Sequence, residues 1–324
     1  MIRQPEVFRP LRELLIEGVH AGRVICPRSP AHTDESVLAK EETWLELDQL
    51  AHDLSPGVRF LTAGEIENNE IRAAARELLG KNPEELWREA FTADPNTSTE
   101  PTIEIFGTEV TVRPVLLPTD AARAEVIHEK EKETALTDAY REVRERFSFQ
   151  EICEANLHAL LGWKLSPLAS TSRFLALLRR RESEFAQEQT RGENHLRPGS
   201  ALSKLYAVHQ RAIFITELVR ELPELRSRDA DFFQSRELKT LPSLMLQAYL
   251  RAGLEVTAGR RAKPGDAYDV VHLTHGLSRC DLVTADRGMV EMVRAHNLLP
   301  TGAALFESCD VDGLIAAIRE RLDL

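Results

Sequence analysis

Residues 263–289, Lys-Pro-Gly-Asp-Ala-Tyr-Asp-Val-Val-His-Leu-Thr-His-Gly-Leu-Ser-Arg-Cys-Asp-Leu-Val-Thr-Ala-Asp-Arg-Gly-Met, decide how the rest of the chain is read. Asp266 follows Gly265 and precedes the apolar positions Val270, Val271 and Leu273, so it is expected as a helix N-cap with Asp269 in the first turn. Roughly ten helical residues at about 1.5 Å each carry the chain about 15 Å down to Ser278 and Arg279. Cys280 to Asp286 then reads as a returning strand that rises about 3.3 Å per residue. Asp286 thus comes back near the level of Asp269, and Asp281 stays about 16 Å away at the far end of the strand. Ligands of open α/β sheets bind outside the carboxyl ends of the strands, the edge at which Asp269 and Asp286 are expected.

The remainder of the chain supplies elements of the same kind at its other end. Val7, Leu11, Leu14, Leu15 and Val19 are spaced as on a helix closed by Gly18 and Gly22. Arg23 to Cys26 reads as a short buried strand stopped by Pro27 and Pro30, and the loop beyond it leads through Glu35 into a helix ending near Leu54. Val58 to Leu61 is a second short strand after Pro56-Gly57. For most of the next 190 residues the periodicity is helical, with one hairpin expected near 102–113, where Ile103 and Ile105 alternate against Val110 and Val112. Helices are expected at about 119–150, 151–161, 167–190, 199–222, 227–235 and 242–253, followed after the opening motif by 287–296, a strand at 303–307 and a helix at 311–322. Two short strands at each end are too few to bury both faces of a parallel sheet, so residues 1–62 and 240–324 are expected to share one α/β domain, with 63–239 as a helical insertion.

Composition narrows the function classes. With 43% hydrophobic and 29% charged residues the chain reads as a soluble protein, and no run approaches a membrane span or the apolar core of a signal peptide, so the cytoplasm is the default expectation. A formal charge of −11 counts against general polyanion binding, which leaves two local basic runs, Arg179 to Arg181 and Arg260, Arg261, Lys263. Cys26, Cys153, Cys280 and Cys309 form no CxxC pair and are expected as buried thiols. The chain has no GxxxxGK[ST], GxGxxG or GxSxG sequence. His272 and His275 share a helix face with no third strong ligand at matching spacing.

An acid after a strand-Pro turn (CPRSPAHTDE, ending at Glu35), an Asp opening a helix and an Asp closing the next strand (DVVHLTHGLSRCDLVTAD, Asp269 and Asp286, 17 residues apart) resemble the PIN-like nuclease family. The resemblance covers about residues 5–62 and 240–322. It implies an α/β fold with a three-layer parallel sheet, here carrying a large α-helical insertion, and a metal-dependent nuclease acting on RNA ahead of DNA. Carried over by position, Glu35, Asp269 and Asp286 are the implied catalytic ligands for Mg²⁺ or Mn²⁺, with Asp266 as a fourth metal ligand or a simple cap. Arg261, Lys263 and Arg287 are the implied phosphate contacts. Hard divalent ions take oxygen ligands, and clustered carboxylates hold ions that activate water and steady a leaving oxygen.

In one respect the chain departs from the family. The family begins with a central strand ending in an Asp, and nothing in MIRQPEVFRP matches it. Three expectations follow: a late start of the gene model, another segment in that place, or a catalytically inactive domain serving as an RNA-binding or protein-interaction scaffold.

Overall fold

The computed structural model describes residues 5–29, 36–55, 57–83, 91–93, 102–105, 108–111, 118–144, 146–169, 171–190, 201–227, 232, 241–257, 263 and 265–322. In chain order the elements are α1 (Pro5–His20), α2 (Glu41–Leu54), β1 (Val58–Phe60), α3 (Ala63–Leu78), β2 (Phe91–Ala93), β3 (Thr102–Ile105), β4 (Thr108–Thr111) and α4 (Asp120–Arg144). They continue as α5 (Phe149–Ala169), α6 (Thr171–Thr190), α7 (Ala201–Glu221), a 3₁₀ turn (Pro223–Ser227), α8 (Pro242–Val256), α9 (Asp266–Arg279), β5 (Leu282–Ala285), α10 (Arg287–Ala295), β6 (Ala304–Glu307) and α11 (Val311–Leu322). The chain is mostly helical with small sheets, and none of its described helices is long and apolar enough to cross a membrane.

Two compact units divide the chain. One holds residues 1–63, 89–126 and 271–324, the other 64–88 and 127–270. These boundaries differ from those drawn from periodicity, because α8 packs along α5 and so belongs with the helices, whereas β2 and the hairpin fall with the strands.

In the first unit the expected four-stranded parallel sheet is not shown. The described strands form three two-stranded sheets, β1–β2 antiparallel, β3–β4 antiparallel and β5–β6 parallel. Only β5–β6 has the expected direction, with Leu282 opposite Ala304 and Ala285 opposite Glu307. Among the described residues the expected strand at 23–26 has no strand partner, and the local backbone explains it. Gly22, at φ 66°, ends α1 in the left-handed turn that glycine adopts without strain. Gly22 N then bonds Val19 O, and both Arg23 N and Val24 N bond Gly18 O. The Ser55 hydroxyl donates to Cys26 O, and Pro27 has no N–H to give. Pairing therefore shrinks to one parallel bridge from Arg28 to Arg59, in which Arg28 N donates to Val58 O at 3.1 Å and Phe60 N to Arg28 O at 2.9 Å.

The β3–β4 hairpin pairs Ile103 with Val110 as the alternation predicts. β2 interrupts a stretch read as helical, and it packs Phe91 on Phe60 with ring centroids 4.9 Å apart. The apolar side of α1 packs on α11 through Leu11, Val311 and Ile318, with Leu282 of β5 beneath. Arg321 reaches Asp281 O and Gly302 O, each at 3.4 Å, tying α11 to the loops that enter β5 and β6.

Helix α9 lies so close to β5 that a Cβ at Gly276 would sit 3.0 Å from Val283 Cγ1 and 3.3 Å from Cγ2. A Gly276→Ala variant is expected to lose about 1–2 kcal/mol, since overpacking of this kind outweighs the roughly 1 kcal/mol of helix propensity gained. Adding Val283→Ala should relieve the clash, so β5 amide exchange that is fast in the single variant slows again in the double.

The helical unit is built on Ile71, Ala74 and Ala75 of α3, Leu161 of α5, Phe214, Ile215 and Leu218 of α7, and Leu241 and Leu244 at the start of α8. Arg72 pairs with Glu217 at 3.1 Å and Arg76 with Glu221 at 2.9 Å, so α3 and α7 run in the same direction. Partly exposed pairs like these contribute no more than about 1 kcal/mol each, and the apolar seam carries the packing. A single helix over 119–150 is not what forms. Ser148 starts a new one at Phe149 because Glu151 Oε2 accepts from Ser148 N at 2.8 Å while Glu151 N reaches back to Ser148 Oγ at 3.3 Å. This Ser-x-x-Glu capping box was readable in the sequence.

Candidate active site

Gly265, with φ at 127°, bends the backbone into α9, and its carbonyl accepts the first helical bond from Asp269 N at 2.9 Å. Gly265 therefore occupies the cap position expected for Asp266, because a residue with a Cβ would be strained there. Asp266 becomes the first helical residue. It is 4% exposed, and its Oδ2 accepts from Lys263 N at 2.8 Å while its own N donates to Lys263 O at 3.0 Å. That reciprocal pair closes the turn before the helix, so Asp266 acts on local structure. Asp269 is half-buried one turn edge further on. Lys130 of α4 lies 4.9 Å from the centroid of the ring of Tyr268, the residue before Asp269 in the chain.

Asp286 leaves β5 in extended conformation, φ −66° and ψ 157°, and is the N-cap of α10. Its Oδ1 accepts from Met289 N at 2.7 Å. The side chain is exposed, and Oδ2 makes no hydrogen bond among the described residues. Arg287 is also exposed, and its Nε donates to Glu291 Oε1 at 2.8 Å. The hydrogen bond to Glu291 raises the Arg287 pKa, with the charges of Glu291 and then Glu307 adding to it. This arginine, expected as a phosphate contact, is thus engaged by its own helix partner. Lys263 presents an exposed side chain. Glu35 and Arg261 lie outside the described residues.

Sequence reading overlooked the acids at and beyond the end of β6, Glu307 and Asp310. Glu307 stands opposite Ala285 in the parallel register, at the same carboxyl edge as Asp286. Three residues later, Asp310 Oδ1 accepts from Gly313 N at 3.0 Å and caps α11. The signal was present, for Ala-Leu-Phe-Glu followed by Asp310 repeats the strand-then-acid pattern of Leu-Val-Thr-Ala-Asp286. Among the described residues no three His, Cys, Asp or Glu side chains are grouped to hold a metal ion. The donor chemistry of the expected set, carboxylate oxygens alone, nevertheless matches a hard ion such as Mg²⁺ or Mn²⁺.

Of the four thiols expected to be buried, Cys153 is fully buried and Cys26 and Cys280 are partly buried. Cys309 is exposed on the turn between β6 and α11, where its Sγ lies 3.7 Å from Glu307 Oε2. Burial pushes the Cys26 and Cys280 thiols up to about 11, and Cys153 up to about 12 with help from Glu255. At pH 8 a thiol of pKa about 11 is thiolate only about one part in a thousand, and thiolate is the reactive form. Iodoacetamide at pH 8 should therefore label Cys309 well before the other three, as read by peptide mass spectrometry; equal rates at all four would contradict this burial.

Compared with known proteins, the chain matches no family model, no curated protein and no solved structure.

Proposed function

We propose that this chain is a PIN-like, Mg²⁺- or Mn²⁺-dependent nuclease that hydrolyses RNA phosphodiester bonds. The observation that carries the reading is Asp286, an exposed carboxylate at the carboxyl end of a strand in a parallel pair. Its Oδ1 is fixed by Met289 N. A carboxylate held by its own helix and open on the other oxygen is already oriented to ligate, without the entropy of ordering a free side chain. Asp269, in the first turn of α9, and Glu35 complete the ligand set that the resemblance implies, with Asp266 as a further acid. When bound, the ion would supply the activated water and steady the leaving oxygen. Lys263, Arg261 and Arg287 would hold the phosphate, and Glu291 would compete for Arg287.

A second reading has its own support. Asp286 and Asp310 are helix caps and Asp266 closes a turn, so each has a structural reason to be an acid. On that reading the chain is a non-catalytic scaffold that binds RNA or protein. Calorimetry with Mn²⁺ on the chain and on an Asp269→Ala, Asp286→Ala variant separates the two. The nuclease reading expects Mn²⁺ binding and cleavage of single-stranded RNA by the unaltered chain and neither by the variant. Absence of both from the unaltered chain would leave the scaffold reading.

A further inference from the structure

We draw no further inference here: the strongest candidate, the cluster of Asp286, Glu307 and Asp310 with Cys309 at the carboxyl edge of the β5–β6 pair, belongs to the site already described, and no second observation there points to a ligand.

Discussion

Replacing Glu70 with alanine is expected to lower the stability of the helical unit by about 2–4 kcal/mol, the range for leaving buried donors without an acceptor at a site that also loses packing. The reason lies in how α8 begins. Its N-cap is Leu241, which has no side-chain acceptor, and its first helical residue is Pro242, which has no N–H. The next donor, Ser243 N, is fully buried and has no water to turn to. Glu70 of α3, also fully buried, supplies the missing cap from 173 residues earlier in the chain. Its two oxygens accept from Ser243 N at 3.2 and 3.1 Å, and Oε1 also accepts from Ser243 Oγ at 2.7 Å. A carboxylate at the positive end of a helix is favourable in addition to these bonds.

Glu70→Gln keeps one acceptor but turns an NH₂ toward donors, so it should fall between wild type and alanine. Ser243→Ala removes only the hydroxyl and should cost less than Glu70→Ala. If the acid acts through Ser243, a cycle of the two alanine variants should show a coupling of about 1–3 kcal/mol. Urea unfolding together with exchange of the Ser243 amide checks this. Additive effects with an unchanged amide would mean that Glu70 does not cap α8.

That contact shows where the sequence stops being legible. Leu241-Pro242-Ser243 announces a helix start lacking its own cap, yet nothing local says that the acceptor is Glu70 and not one of the neighbouring acids Glu65 or Glu67. Helices were readable because their signals are local: Gly22 ending α1 and Pro242 opening α8, whereas Ser148 with Glu151 opening α5 is a signal of the same kind that the single helix expected over 119–150 passed over. The β5–β6 pair was readable for a similar reason, since Leu-Val-Thr-Ala and Ala-Leu-Phe-Glu are unbroken runs free of proline and glycine. The larger sheet was not. At residues 23–28 the hydrogen-bonding groups go to Gly18, Ser55 and a single bridge with β1, and period-two hydrophobicity does not record where a backbone group bonds. For the candidate site, the acids at 266, 269 and 286 were visible as residues, but their present hydrogen bonds were not. Asp286 was read as a ligand without the cap role that it also fills.

This double role makes substitution at Asp286 the sharpest test of function. Asn and Ser cap helices about as well as Asp, whereas alanine loses about 1 kcal/mol at a cap. Asp286→Asn should therefore leave the Met289 N bond and the stability of α10 nearly intact while removing the negative charge. A metal ligand of that kind is not replaceable by a neutral amide, and loss of a ligand should exceed the 10–100-fold cost typical of groups that merely support ligands. The nuclease reading thus expects Asp286→Asn to fold as wild type and to lose at least about 100-fold in Mn²⁺-dependent RNA cleavage. Asp286→Ala should lose the same activity and also unfold at lower urea. If capping is the whole purpose of the residue, the order reverses: Asp286→Asn would match wild type in every assay and only Asp286→Ala would differ, through stability alone. Because stability and cleavage move independently in the asparagine variant, a poorly folded protein cannot be mistaken for an inactivated one.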